Sequence, residues 1–212
     1  MGYVELHAHS AYSFLDGASS PDELIAAAVI NGYPALALTD HDGLWGAMEF
    51  AHVCKGVGIR PITGAELTLD DGAHVTLLVE DRTGYRNLCR LITHAHRGTR
   101  AWDENGRRAG YHVIPPRISL DQLERHAEGL VCLSGCARDG ALAGRVESGD
   151  LRGAERIGRR LLKAFGRDRL RVELQRPFWR HDRARNRALS QLADTRAASG
   201  ADAVPGMTLF QE

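Results

Sequence analysis

Apolar and polar positions along the chain follow two alternating periods. Residues 5–10, ELHAHS, open with period two: on a strand His7 and His9 share one face while Leu6 and Ala8 share the other. Ser20-Pro21-Asp22-Glu23 reads as a capping box with proline at the first helical position, and the helix PDELIAAAVI ends at Asn31-Gly32. PALALTDHDG is apolar on both faces until Thr39-Asp40-His41-Asp42, the pattern of a strand buried in a parallel sheet. A helix over LWGAMEFAHVCKGVG and a strand over IRPITGAEL, whose polar end is Glu66, repeat the unit.

Asp70-Asp71-Gly72 predicts a turn, and AHVTLLVED a strand with His74 near its start. There follow a helix over TGYRNLCRLITHAHRG, a long loop rich in Gly, Arg and Pro, the capped helix SLDQLERHAEG ending at Gly129, and the strand LVCLSG with Cys136 just beyond it. LRGAERIGRRLLKAF is an amphipathic helix, LRVEL a strand, and HDRARNRALSQLADTRAASG the last helix. This alternation predicts an α/β fold of βαβ units with a mainly parallel sheet. His41, Glu66 and Cys136 fall at or just beyond the C-terminal ends of successive strands, which favours a (β/α) barrel over a doubly wound sheet, because barrel sites gather at that face. No GxGxxG or phosphate-binding loop follows a strand, so nucleotide binding of those kinds is disfavoured.

A length of 212 residues fits one domain, and 43% hydrophobic with 25% charged residues excludes a disordered or fibrous chain. No apolar run reaches membrane-spanning length and no basic, then apolar, leader opens the sequence, so a cytoplasmic protein with no membrane partner is expected. Cys54, Cys89, Cys132 and Cys136 are expected to be reduced, and the last two lack a second closely spaced pair that would make a zinc knuckle. Charge changes the picture more. Residues 1–96 hold 5 Lys+Arg against 12 Asp+Glu, and residues 97–212 hold 22 against 15. An acidic, histidine-bearing half suits cations, while an arginine-rich half suits phosphates or an acidic partner. Arg outnumbers Lys 25 to 2, a bias that base composition alone can produce.

The candidate chemistry lies in His7, His9, Asp16, His41, Glu66, His74 and Cys136, nitrogen, oxygen and sulfur donors drawn from at least five segments. Mixed imidazole and carboxylate donors suit zinc, manganese or iron, and a bridging carboxylate such as Glu66 allows neighbouring ions. Such clusters activate water and clamp phosphate oxygens, the chemistry of phosphoester hydrolysis.

The segments LHAHSAYSFLDG, ALTDHDGLWGAMEF, GAEL, HVTLLVEDRTGYRNLCRLIT and EGLVCLSGC resemble the successive motifs of the PHP (polymerase and histidinol phosphatase) domain, in the version at the N-terminus of bacterial DNA polymerase III α subunits. The resemblance runs from Tyr3 to about Ala193, and VELQRPFWRHDRARNRAL is similar to the error-prone branch. It implies a distorted barrel with up to three metal ions, zinc or manganese, and a phosphoesterase or 3′-5′ exonuclease activity in members that keep every ligand. Other members use the domain as a scaffold. His7 and His9 match the first motif, Asp16 the LDG aspartate, His41 the second motif, Glu66 the bridging glutamate, His74 the histidine opening the next strand, and Cys136 the cysteine after the fifth motif. Asp40 is expected to support the catalytic ligands, while His94 and His96 sit within a helix and are left outside the site.

The sequence also departs from the pattern. A last strand ending in an Asn/Asp-x-Val-His motif normally supplies two more ligands, and DTRAASGADAVPGMTLFQE holds no histidine. The expectation is a PHP domain over residues 1–200 cut short of its last strand, an irregular tail over 201–212 that adds no ligand, and fewer metals than three. Nothing matches the palm, fingers or thumb of a polymerase. Two functions remain: a metal-binding module or remnant of an error-prone polymerase α subunit, partnered by the rest of that subunit, or a stand-alone hydrolase acting on DNA or a phosphate ester.

Overall fold

The computed structural model describes residues 2–99 and 114–194 and the backbone of 208–211. Its elements are α1 (Pro21–Ile30), β1 (Ala35–Leu38), α2 (Ala47–Val57), β2 (Arg60–Thr68), β3 (His74–Val79) and α3 (Arg82–His96). They continue with α4 (Leu120–Arg125), β4 (Leu130–Leu133), α5 (Ala143–Glu147), α6 (Leu151–Phe165), β5 (Leu170–Leu174), α7 (Asp182–Asp194) and β6 (Thr208–Gln211). The local signals act as expected. Ser20 N–H donates to the Glu23 carboxylate at 2.9 Å ahead of α1, Ser119 Oγ accepts from Gln122 N–H at 3.2 Å ahead of α4, and Gly58 ends α2 in the left-handed conformation.

The six strands form one sheet in chain order. Pairs β1/β2, β4/β5 and β5/β6 are parallel, whereas β2/β3 and β3/β4 are antiparallel. The mainly parallel sheet expected from the helix-strand alternation is therefore mixed. The Asp70-Asp71-Gly72 turn joins β2 straight to β3, and a connection that short cannot cross over to a parallel neighbour. The reversal has a consequence for the site. It brings the first residue of β3 level with the C-terminal end of β2, so that His74 pairs with Thr68 and Thr76 with Glu66.

The segment before α1 is not the regular strand that its alternation predicts. It bridges to β1 at Glu5 and Leu36, and the carbonyls of Glu5 and Ala8 accept from Ala37 and Thr39, but His7 N–H turns to the Glu5 side chain at 2.9 Å instead of entering a ladder. The sheet curls until its two sides meet across the concave face, where His7 of this segment hydrogen-bonds Glu173 of β5. The result is a distorted α/β barrel, open between the N-terminal segment and β6 among the described residues.

Strand alternation sorts the two faces. Val75 and Leu77 of β3, Leu130 and Cys132 of β4, and Leu170 and Val172 of β5 point outward and pack with Leu88 and Leu91 of α3 and Leu161 of α6. Leu36 and Leu38 of β1 pack with Ile25 of α1 and Phe50 of α2. The intervening Ala37, Leu78 and Leu133 face inward with Leu6 and Ile62 and plug one end of the barrel. Glu66, Thr76 and Glu173 have the same inward parity and fall at the other end.

Helix α2 begins at Ala47, three residues later than its apolar pattern, and α5 has no counterpart in the periodicity. Most of the Gly, Arg and Pro loop, and the extension of the last helix past Asp194, lie outside the described residues. Within the tail, where MTLFQE offers at most a short strand, Thr208–Gln211 form the short strand β6 against β5, whose edge would otherwise hold unpaired backbone donors and acceptors. No helix among the described residues is long and apolar enough to cross a membrane.

Leu77 is fully buried at the centre of the main core. Leu77→Ala should lower the unfolding free energy by about 2–5 kcal/mol in urea titration, and a loss under about 1 kcal/mol would contradict this packing.

Candidate metal centre

Glu66 lies on β2 between Ala65 and Leu67, both of which enter the outer core, so alternation sends its side chain to the concave face, where it is fully buried. Four imidazoles surround it. Its Oε2 is 2.9 Å from His9 Nε2, 3.3 Å from His7 Nε2 and 3.5 Å from His41 Nε2, and its Oε1 is 3.3 Å from His74 Nδ1. His7 and His9 come from the N-terminal segment, His41 from just beyond β1, where its backbone bridges Glu66, and His74 from the start of the reversed β3. Asp16 closes the solvent side, with Oδ2 2.8 Å from His41 Nε2 and 3.2 Å from His9 Nδ1. The loop that carries Asp16 doubles back so tightly that a Cβ on Gly17 would run into the Ser10 carbonyl.

Burial and pairing pull against each other here. Burial disfavours the His7 cation, but the charge and hydrogen bond of Glu173, helped by Glu66, hold its pKa well above the ordinary imidazole value. Burial likewise opposes the His74 cation, yet Cys136 and Glu66 push it up to about 10. For Glu66, burial favours the neutral acid, and the imidazoles of His7, His74 and His9 close beside it overcome that and hold the carboxyl well below its usual range. The hydrogen bond from His41 lowers the pKa of Asp16. The site thus gathers positive charge around two ionised carboxylates.

The donor set fits a cation. His9 Nε2 and Glu66 Oε1 are buried with no hydrogen-bond partner, although each has an opposite group within 2.9–3.3 Å. Unaligned donors and acceptors aimed into one space are what a shared ion would satisfy. The rings of His7, His9, His41 and His74 follow one another at centroid separations of 5.1, 4.4 and 5.1 Å. Among the described residues, three overlapping triads can each converge on an ion: His7, His9 and Glu66; His9, Asp16 and His41; and His41, Glu66 and His74.

Six of the seven expected ligands thus enter one cluster. Cys136 lines the same cavity of about 510 Å³ and faces His74, but it joins none of the triads, and its sulfur accepts from Asp139 N–H at 3.4 Å. Asp40 lies outside the three triads. Its buried carboxylate is taken up by Ser10 N–H at 2.7 Å, Ser10 Oγ at 2.9 Å and Ser13 Oγ at 2.8 Å, so it anchors the loop leading to Asp16. His96 donates to the Asp42 carbonyl at 2.7 Å, and the Asp42 side chain accepts from Thr68 beside His74. Sequence reasoning misses Glu173, whose Oε1 is 2.7 Å from His7 Nδ1. Its signal is present all the same: in LRVEL it is a charged residue inside an apolar strand.

The pairing fixes a pH dependence. In the metal-free protein His74 titrates at about 10 rather than 6.5, so its contribution to stability is complete below pH 6.5 and is lost as pH rises through about 10. The lowered pKa of Asp16 works oppositely: its contribution holds above its ordinary value of 3.8 and is lost as pH falls below it. A metal needs unprotonated rings, so binding must release protons. Zinc affinity should therefore climb between pH 6.5 and 9, and calorimetry in buffers of different ionisation enthalpy should detect released protons. Equal heats in all buffers would contradict the protonated metal-free cluster.

Known proteins resemble this chain in sequence and in fold. The sequence matches the PHP domain family over residues 5–177. It is 43% identical over 198 residues to the error-prone DNA polymerase of Symbiobacterium thermophilum, covering 92% of this chain and 18% of that protein. It is 37% identical over 189 residues to the DNA polymerase III subunit alpha of Treponema pallidum, covering 82% of this chain and 15% of that protein. The chain thus spans less than a fifth of the length of these relatives. Among solved structures, a protein of Bifidobacterium adolescentis described as a metal-dependent phosphoesterase aligns with a TM-score of 0.55 at 15% identity, over 88% of this chain and 82% of that one. An amidohydrolase of Chromobacterium violaceum with bound sulfate and no metal aligns at 0.57 and 20% identity, over 94% and 86%. Those likenesses establish the fold, and the sequence match over most of the described barrel establishes that this chain belongs to the PHP domain family.

Proposed function

We propose that this chain is the metal-binding PHP module of an error-prone DNA polymerase α subunit, acting within that longer enzyme in replication and damage-tolerant repair synthesis and making no DNA by itself. The observation that carries the reading is Glu66, a buried carboxylate shared by four imidazoles inside a domain similar to those polymerases. The remainder of the α subunit is the proposed partner.

Ligand arithmetic limits the metal content. A neutral imidazole has one free lone pair, so His9 and His41 cannot serve two triads at once. Assigning His7, His9 and Glu66 to one ion leaves Asp16 with His41, and His74 with the other Glu66 oxygen, as two-donor remnants. The reading is therefore one tightly held zinc or manganese, with weaker sites beside it.

A second reading, phosphoester hydrolysis by the module itself, is favoured by the cavity, which is lined by the cluster and by Arg138. A cation bound there would supply a water of lowered pKa and neutralise phosphate charge. Arg138 would hold and orient the phosphate of a DNA end or simple ester.

Purified chain should carry about one equivalent of zinc or manganese after metal-supplemented purification, and less than about a tenth of an equivalent would contradict the metal reading. Templated primer extension should be absent with any metal supplied, and extension by the pure chain would refute the module reading. Any hydrolysis of an aryl phosphate or single-stranded DNA should vanish in His9→Ala and in Glu66→Ala. Activity surviving both would point to another site.

A further inference from the structure

We infer that Glu173 and Gln175 form a positioning clamp for the metal centre, in which Glu173 fixes the His7 ring and Gln175 ties Glu173 to the loop after Cys136. The inference rests on the metal reading above and assigns to β5 and the chain just beyond it a part that no ligand plays.

Glu173 is 5% exposed and on the inward face of β5. A carboxylate only accepts, so at 2.7 Å it takes the proton on His7 Nδ1 and leaves Nε2, 3.3 Å from Glu66, as the ring nitrogen facing the cluster. The backbone fixes where that carboxylate sits, because Glu173 N–H donates to Ser134 Oγ at 3.0 Å. Gln175 then serves two partners at once. Its Nε2 donates to the same Glu173 oxygen, and its Oε1 accepts from Ala137 N–H at 2.8 Å, the residue after Cys136.

Gln175 is held in turn from α7. Its carbonyl accepts from Arg185 at 2.8 Å and from Asn186 at 3.0 Å. The Arg185 side chain is 1% exposed and also pairs with Asp182 and with Glu147 of α5, each at 2.9 Å. A buried guanidinium compensated on both sides is costly to displace, which makes α7 a firm base for the clamp. The chain of contacts runs Arg185, Gln175, Glu173, His7, Glu66, and its first member lies on an element that supplies no ligand.

Partners that fix the tautomer of a ligating histidine change metal affinity by about 10- to 100-fold when removed. The test is zinc affinity by chelator competition on the full chain, with His7 followed by long-range proton–nitrogen NMR in the zinc-loaded protein. Glu173→Ala should weaken zinc by about 10- to 100-fold and lose the slowly exchanging proton on His7 Nδ1, while Glu173→Gln, whose carbonyl oxygen can accept from the same two donors, should recover most of the affinity and that proton. Gln175→Ala should weaken zinc in the same direction by a smaller factor. Circular dichroism of the metal-free variants reports folding, and should Glu173→Ala unfold, the His7 proton in Glu173→Gln decides between the two outcomes. Wild-type affinity in a folded Glu173→Ala, or a Glu173→Gln whose His7 carries its proton on Nε2, would overturn the clamp. Failure of the wild-type chain to bind zinc would overturn the metal reading and the clamp together, whereas tight wild-type binding with indifferent variants would overturn the clamp alone.

Discussion

One constraint organises the molecule: a carboxylate on a central strand, stripped of water, must be given positive charge from every side. Glu66 is fully buried, and an isolated ionised carboxylate at such a position would be neutralised rather than tolerated. Four imidazoles reach it from the N-terminal segment, the end of β1 and the start of β3. Each feature of the fold that looks like a local irregularity serves that convergence. The N-terminal segment gives up a regular ladder beside β1, the sheet reverses at β3, and the loop before α1 doubles back at Gly17.

The interior of the barrel is correspondingly divided along its length. At one end Leu6, Ala37, Ile62, Leu78 and Leu133 form a small apolar plug, which keeps the strands at the spacing the site needs without placing polar groups below it. At the other end the inward positions Glu66, Thr76 and Glu173 are polar, and the polar groups are tied to one another before they meet solvent. Asp40 holds the loop that presents Asp16, Asp42 holds the end of β2 beside His74, and Glu173 holds His7. Without metal, His7 and His74 with their raised pKa values balance the buried carboxylate but leave His9 Nε2 and Glu66 Oε1 without hydrogen-bond partners, which a divalent ion would supply.

Much of this is legible in the sequence, and the exceptions have physical causes. His41 and Glu66 end apolar runs, so their convergence follows from strand ends; the alternation that pairs His7 with His9 points to the same site, although their segment makes only a bridge to β1 and not the strand that the alternation predicts. His74 opens its strand rather than closing it. Its arrival at the same rim depends on β3 being antiparallel, which the Asp70-Asp71-Gly72 turn signals but the helix-strand alternation obscures. Glu173 escapes notice because one charged residue in a five-residue strand gains meaning only once the inward face is known. Asp40, beside His41 along the chain, turns to Ser10 and Ser13 and so holds the loop leading to Asp16, a partnership that adjacency in sequence does not reveal. The tail shows a different limit: MTLFQE is legible as a short strand at most, but its partner, the edge of β5, is not.

Glu66 as the shared anchor of a cation site is tested most directly by anomalous X-ray diffraction from zinc-soaked crystals, collected on both sides of the zinc absorption edge. The predicted result is a zinc-specific peak within bonding distance of Glu66 and of His7 and His9 Nε2. A strong zinc peak elsewhere with none beside Glu66, or an empty cluster in zinc-saturated crystals, would contradict it.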